Sequence, residues 1–162
     1  MIRIIREIAG YVLGLVVFVG LIPFLMWLAS DRPDIMATSP AWLLVIGLAL
    51  AVAGLVLSLW SILHMRHVGK GNPFDAFGHE VAPRTQHLMT DGPYRFSRNP
   101  MLLGVFVLLA GVVAILHSWQ SVLIFAAFVA IMLCQVASEE KRLAKDFGDE
   151  YAEYCKHTHR II

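Results

Sequence analysis

Four apolar runs, each near the length of a membrane crossing, constrain this chain more than any other feature. A helix that spans the hydrocarbon layer needs roughly 20 mostly apolar residues. The runs cover residues 8–29, 41–63, 101–116 and 121–137, and the second contains no charged residue. Pro23 lies inside the first run, where a membrane helix tolerates proline and can kink. Gly47, Ala51 and Gly54 recur in the second at spacings of three and four, a pattern that lets helix backbones approach closely.

Composition agrees. Of 162 residues, 58% are hydrophobic and 15% charged, against roughly 45–50% and 25% in soluble domains. Mean hydropathy is +0.69. A soluble domain of this length has too little interior for that much apolar surface; lipid can solvate it instead. Net charge is +1, so no basic field suggests a nucleic-acid partner. Cys134 in an apolar run and Cys155 in the polar tail read as unpaired. The first run is too long for a cleaved signal and lacks a small-x-small exit before its turn.

Between the runs, 30–40 reads as a turn carrying Asp31, Arg32, Pro33 and Asp34. Residues 117–120 read as a tight turn that makes a hairpin of the third and fourth runs. Residues 64–99 form a long polar connection, and such loops are usually functional or disordered. After the fourth run, 138–155 reads as a polar helix with Leu143, Phe147, Tyr151 and Tyr154 at helical spacing. The expected fold is an all-α polytopic membrane bundle of about four transmembrane helices with a C-terminal cytoplasmic helix. It forms a single domain over 1–162, in which two N-terminal spans (1–63) precede a core (64–162).

Positive charge sets orientation. Arg3 and Arg6, then Arg66, Lys70, Arg84, Arg95 and Arg98, then Lys141, Arg142, Lys145, Lys156 and Arg160 lie on one side, while the two short turns carry only Arg32. Both termini and the long loop are therefore expected to face the cytoplasm. Trp27, Trp42, Trp60 and Trp119 stand near run ends, as interfacial aromatics do.

Two polar segments carry chemistry. In 91–104, Gly92-Pro93 signals a turn, and Asn99-Pro100 opens a helix with Asn99 placed to cap it. The start of that helix offers free N–H groups to a carboxylate. In 139–154, Glu139-Glu140 begins the polar helix. The hairpin returns the chain to the side it left, which brings Arg98-Asn99 near Glu139-Glu140. The result is a pocket holding both charge signs beside lipid, suited to a zwitterionic or cationic cofactor and a lipophilic substrate. Taken singly, Glu139-Glu140 also reads as a solvated helix start, Arg98-Asn99-Pro100 as an interfacial anchor with a cap, and Tyr94, Tyr151 and Tyr154 as packing aromatics. The seven histidines include His64 and His67 at i,i+3, but no full zinc-ligand set has family spacing, and no metal is expected.

The stretch Gly-Pro-Tyr-x-x-x-Arg-Asn-Pro-Met-x-x-Gly at 92–104 and Glu-Glu-x-x-Leu-x-x-x-Phe-Gly-x-x-Tyr-x-x-Tyr at 139–154 resemble the isoprenylcysteine carboxyl methyltransferase and phospholipid N-methyltransferase superfamily. Gly69-Lys70-Gly71-Asn72-Pro73-Phe74 is similar to a segment that precedes the core in bacterial members. The resemblance covers roughly 66–160. It implies an integral membrane methyltransferase that uses S-adenosylmethionine without a Rossmann domain, and Gly69-x-Gly71 lacks the third glycine of a dinucleotide fingerprint. Carried onto matching positions, it implies cofactor contacts at Tyr94, Arg98, Asn99, Pro100, Gly104, Glu139 and Glu140, with Arg98 and Glu140 catalytic.

Prenylcysteine enzymes have a histidine six residues before the motif glycine. Gln86 stands there, with His87 one step away, and both join the cofactor candidates. Of a tail motif Val-Pro-Arg, only Arg160 remains. The implied partners are the lipid bilayer and a lipophilic or lipidated acceptor, either carboxylate or amine, in a bacterial inner membrane. Oligomeric state is open. The sterol C14-reductase group, which uses a nicotinamide cofactor, has a similar C-terminal region, so a membrane reductase remains an alternative. So does a membrane interaction protein that has kept the scaffold without the chemistry.

Overall fold

The computed structural model describes residues 12–31, 39–69, 75–76, 79–80 and 88–162. The start of the first apolar run, most of 70–87, and with them Lys70, Arg84, Gln86 and His87 lie outside the described residues. Among the described residues four helices make the bundle: α1 (Val12–Ala29), α2 (Ala41–His64), α3 (Pro100–Leu116) and α4 (Trp119–His157). A minimal antiparallel pair joins Asp75–Ala76 to His79–Glu80.

Helix α1 passes through a π-helical turn at Val16–Leu21 immediately ahead of Pro23. Proline removes one N–H and crowds the carbonyl four residues back, and a widened turn is one way a helix absorbs that conflict. Ser30 closes α1 by donating from its hydroxyl to the Trp27 carbonyl at 2.7 Å.

Helix α2 is built inside out by the standards of a soluble protein. Its buried residues are Gly47, Gly54, Ser58 and Ser61, while Val45 and Leu48 are 68% and 61% exposed. Such an arrangement is stable only where the solvent is apolar. Lipid provides no hydrophobic drive between helices, so association depends on close packing and hydrogen bonds, which small residues permit. The partner is α3. A Cβ built on Gly47 would lie 2.6 Å from the Gly111 carbonyl oxygen, and one on Gly104 would lie 2.6 Å from that of Gly54. Ser58 bonds to the Met101 carbonyl at 3.0 Å and Ser39 to that of Ile115 at 2.7 Å, pinning both ends of the seam.

The other faces of α3 fill the core. Leu102, Val105, Phe106, Leu109 and Leu116 are buried with Met26 of α1 and Phe128 and Val136 of α4. Phe106 meets Phe128 edge-on at 6.1 Å between centroids, and Phe128 meets Phe18 of α1 at 5.8 Å, the geometry that ring quadrupoles favour.

The link from α3 to α4 is tighter than the four-residue turn expected at 117–120. His117 takes a left-handed conformation and its N–H bonds to Val113. Ser118 then caps α4 by accepting from the Ser121 N–H at 3.2 Å, so Trp119 and Gln120 already belong to α4. The fourth apolar run and the polar helix are likewise one element. Helix α4 continues past Ala137 through Glu139 and Glu140 without interruption and breaks only at Gly148 (φ 51°, ψ −122°), a backbone conformation essentially reserved to glycine. Its polar half projects beyond the apolar bundle.

Helices α1, α2 and α4 are long and apolar enough to cross a membrane, and α3, with 17 residues, is a shorter apolar helix. The all-α membrane bundle expected from the sequence is the fold observed.

Candidate active site

The site forms where α2 ends, α3 begins and α4 leaves the apolar layer. Ahead of α3, Gly92–Arg95 makes a single 3-10 turn. Gly92 is constrained there twice: its φ is +56°, and a Cβ would meet the His64 ring at 2.6 Å. That ring lies over Tyr94 with centroids 6.4 Å apart, and its Nε2 is 3.0 Å from Asp91 Oδ1. The hydrogen bond to His64 holds the Asp91 carboxyl below its usual range. The turn is thus fastened to the end of α2.

Gly148 turns the last part of α4 back over this turn. Tyr154 donates its hydroxyl to the Tyr94 carbonyl at 2.5 Å. Beyond the helix, the chain lies parallel to Ser97 at His159, and the Arg98 N–H bonds to the His159 carbonyl at 2.9 Å. Asn99 stands at the cap position of α3, but its side chain does not cap; Nδ2 donates instead to the Arg160 carbonyl at 3.0 Å. The returning tail offers a closer acceptor, and the Asn99 N–H is met by Ser97 Oγ at 3.1 Å.

These fastenings gather the charges. Arg98 Nη2 is 3.1 Å from Glu140 Oε1, with both side chains about seven-eighths buried, and Arg160 Nη2 is 2.6 Å from Glu140 Oε2. Arg98 also donates through Nη1 to the Cys155 thiol. Its Nε is buried without a hydrogen-bond partner among the described residues. Glu139 is paired at 3.5 Å with Arg142. Burial, and then the negative charge of Glu140, push the Glu139 carboxyl above its usual range. The Tyr151 hydroxyl, near Glu140 and Cys155, is also pushed up, chiefly by burial.

Tyr94, Arg98, Asn99, Glu139 and Glu140 line one cavity, joined by Met65, Met89, Leu143, Tyr151 and Tyr154. Its volume is about 70 Å³, short of the ~300 Å³ at which drug-sized sites begin. The cavity that the described residues define is thus smaller by itself than a site for a ligand of that size. Pro100 is the buried first residue of α3 and does not line it. Gly104 is also elsewhere: it sits in the α2–α3 seam against Ser58 and Gly54, so its observed part is in helix packing. Gln86 and His87 lie outside the described residues. Among the described residues no group of three or more His, Cys, Asp or Glu side chains is arranged to hold a metal.

Sequence reasoning missed four participants. Arg160 shares Glu140, Cys155 meets Arg98, and His64 with Asp91 fixes Tyr94. Only Arg160 had a signal, its place in the tail motif. The others are joined by long-range contacts that no local spacing encodes.

The donor set suits a ligand with both charge signs. Glu139 is a partly buried carboxylate, paired at 3.5 Å with Arg142, that a ligand cation could also meet, and Arg98 Nε–H is a buried donor with no acceptor among the described residues. Three long lipid-compatible helices beneath such a site define an integral membrane protein with a polar pocket at one end of its bundle.

The chain belongs to the phospholipid methyltransferase family, whose model matches residues 42–150. The match begins within α2, ahead of the region where the motif resemblance starts. A curated relative, the protein-S-isoprenylcysteine O-methyltransferase of Schizosaccharomyces pombe, is 33% identical over 85 residues, covering 50% of this chain and 36% of that protein. The matched stretch is thus little more than a third of the relative's length. No solved structure matches the chain significantly.

Proposed function

We propose that this protein is a membrane methyltransferase that draws its methyl group from S-adenosylmethionine and passes it to a lipophilic acceptor. The observation that carries this reading is the juxtaposition of Glu139-Glu140 with Arg98 and Tyr94 around one cavity at the end of an apolar bundle. When bound, the cofactor supplies an electrophilic methyl on a positively charged sulfur.

The chain's own residues bind and orient. Glu139 is placed to accept from the cofactor's ammonium or ribose hydroxyls, and Arg98 Nε–H to donate to its carboxylate; such charge-assisted bonds are the strong ones. Glu140 acts through Arg98 and Arg160, fixing both guanidinium groups. Tyr94, Tyr151 and Tyr154 wall the site and limit water. Holding nucleophile and methyl in line supplies most of the rate in such a displacement. The site end carries Arg66, Arg95, Arg98, Lys141, Arg142, Lys145, Lys156 and Arg160, whereas the described residues of the other end carry no Lys or Arg. That asymmetry supports a cytoplasmic site, with 1–162 acting as one membrane domain.

The test is calorimetric titration of S-adenosylhomocysteine into the detergent-solubilised protein and its Glu139→Gln variant. Loss of one charge-assisted bond, worth about 1.5–3 kcal/mol, is expected to weaken binding roughly 10- to 150-fold. A folded wild-type protein that binds no S-adenosylhomocysteine refutes the cofactor assignment.

A further inference from the structure

A guanidinium is a rigid plane whose N–H donors form a fixed fork. One contact leaves that plane free to pivot, whereas contacts on two different nitrogens fix it. Arg98 is held in the second way. Its Nη2 lies 3.1 Å from Glu140 Oε1, and its Nη1 donates to the Cys155 thiol. The root of the side chain is fixed as well, since the Arg98 N–H bonds to the His159 carbonyl at 2.9 Å. Nε–H is left over, buried without a hydrogen-bond partner among the described residues, on a side chain that lines the polar cavity.

The two anchors differ in what sets them. Glu140 is shared, because its Oε2 lies 2.6 Å from Arg160 Nη2 and the carboxylate answers to a second guanidinium. Cys155 is set by the helix that carries it. It lies beyond the bend at Gly148 and next to Tyr154, whose hydroxyl bonds to the Tyr94 carbonyl at 2.5 Å. The thiol is thus held against the turn that leads into Arg98. Tyr151 stands four residues before Cys155, on the same helix face. It is 4% exposed, and its hydroxyl is buried near Cys155 and Arg98 without a hydrogen-bond partner among the described residues. An unpaired hydroxyl and a thiol therefore flank one guanidinium at the edge of the cavity.

We propose that Cys155 is a positioning residue: with Glu140 it fixes the plane of the Arg98 guanidinium and so presents Nε–H to a carboxylate-bearing ligand in the polar cavity. Cys155 does not line that cavity and acts only through Arg98. That the ligand is the methyl donor rests on the function proposed above; the orientation of Arg98 does not. Sulfur is a weak acceptor, so the contribution is one of geometry. It removes beforehand a rotation that Arg98 would otherwise give up on meeting the ligand.

The experiment uses the full chain in detergent micelles, with isotope-labelled arginine, and the variants Cys155→Ala, Cys155→Ser and Arg98→Lys. The last identifies the Arg98 Nε–H resonance. In the wild type that resonance is expected to be protected from exchange with water. Cys155→Ala should abolish the protection and weaken S-adenosylhomocysteine binding about three- to tenfold, the span of one ordinary hydrogen bond. Cys155→Ser keeps an acceptor at that position and should restore the protected signal. It should also bring affinity back to within about twofold of wild type. A role in packing alone makes serine, which is smaller than cysteine, fail as alanine does, and that outcome overturns the proposal. So does an Arg98 resonance that Cys155→Ala leaves unchanged. A resonance that responds to Cys155→Ala in a protein that binds no S-adenosylhomocysteine upholds the positioning of Arg98 and removes the cofactor assignment.

Discussion

Replacing Gly104 with alanine separates two roles for that residue, cofactor contact and helix packing. A Cβ there would stand 2.6 Å from the Gly54 carbonyl oxygen and 2.7 Å from the Ser58 nitrogen. Both are backbone atoms and cannot swing aside. Non-bonded heavy atoms are most favourable about 3.5–4.0 Å apart, so α2 and α3 must part by about 1 Å. A radial gap of 0.5–1 Å forfeits a quarter to a half of each dispersion well along the seam, and overpacking of this kind costs about 1–3 kcal/mol. Parting also stretches the Ser58–Met101 bond, a further ~1 kcal/mol. Alanine's helix propensity returns about 0.8–1.0 kcal/mol. The net expectation is a loss of about 1–3 kcal/mol, measured by reversible unfolding in mixed micelles. S-adenosylhomocysteine affinity of the folded fraction should stay within about twofold. Ser58→Ala, which removes the bond without forcing the helices apart, should cost about 0.5–1.5 kcal/mol. A Gly104→Ala protein as stable as wild type but impaired in cofactor binding would refute the packing argument and return Gly104 to the pocket.

Glu139 provides a pH-dependent test. Because its carboxyl is held above the usual range, the folded protein takes up this proton before the unfolded chain does. The cost of burying the charge is therefore present at neutral pH and relieved as pH falls through the raised pKa. Glu139→Gln should be at least as thermally stable as wild type at neutral pH, with the difference closing on acidification, while wild-type cofactor affinity declines over the same acid window and that of the variant does not. Gly148→Ala meets no steric obstacle, since nothing lies within 4 Å of the added carbon, so its cost is that of the backbone alone, about 1–3 kcal/mol for a side chain in such a region. Hydrogen exchange should quicken across 149–160 and remain unchanged in α2 and α3; equal protection throughout would show that the bend needs no glycine.

The four apolar runs were legible because lipid imposes a minimum length on each, and their order along the chain determines the hairpin that brings 98–99 toward 139–140. The seam was half legible: Gly47 and Gly54 announced a close-packed face, but that their partners were Gly104 and Gly111 depended on the register of two helices, which spacing within one helix does not contain. The packing role of Gly104 was hidden for that reason, since a glycine inside a motif looks the same whether a ligand or a neighbouring backbone excludes its side chain. Asn99 had the identity and position of a cap and was diverted by a tail sixty residues away. The continuity of α4 was hidden by composition, because an abrupt change from apolar to charged residues resembles a boundary even where the backbone passes straight through.

That continuity ties the site to the bilayer mechanically. Glu139 and Glu140 ride on the same uninterrupted rod as the lipid-facing stretch of α4, whereas Arg98 is fixed to the foot of α3. Spanning helices answer a thinner or thicker hydrocarbon layer by tilting. Any tilt of α4 against α3 must be taken up at the contacts by which Glu140, Cys155 and His159 hold Arg98, and so at the wall of the cleft. The thickness of the surrounding membrane is in this sense a dimension of the pocket itself.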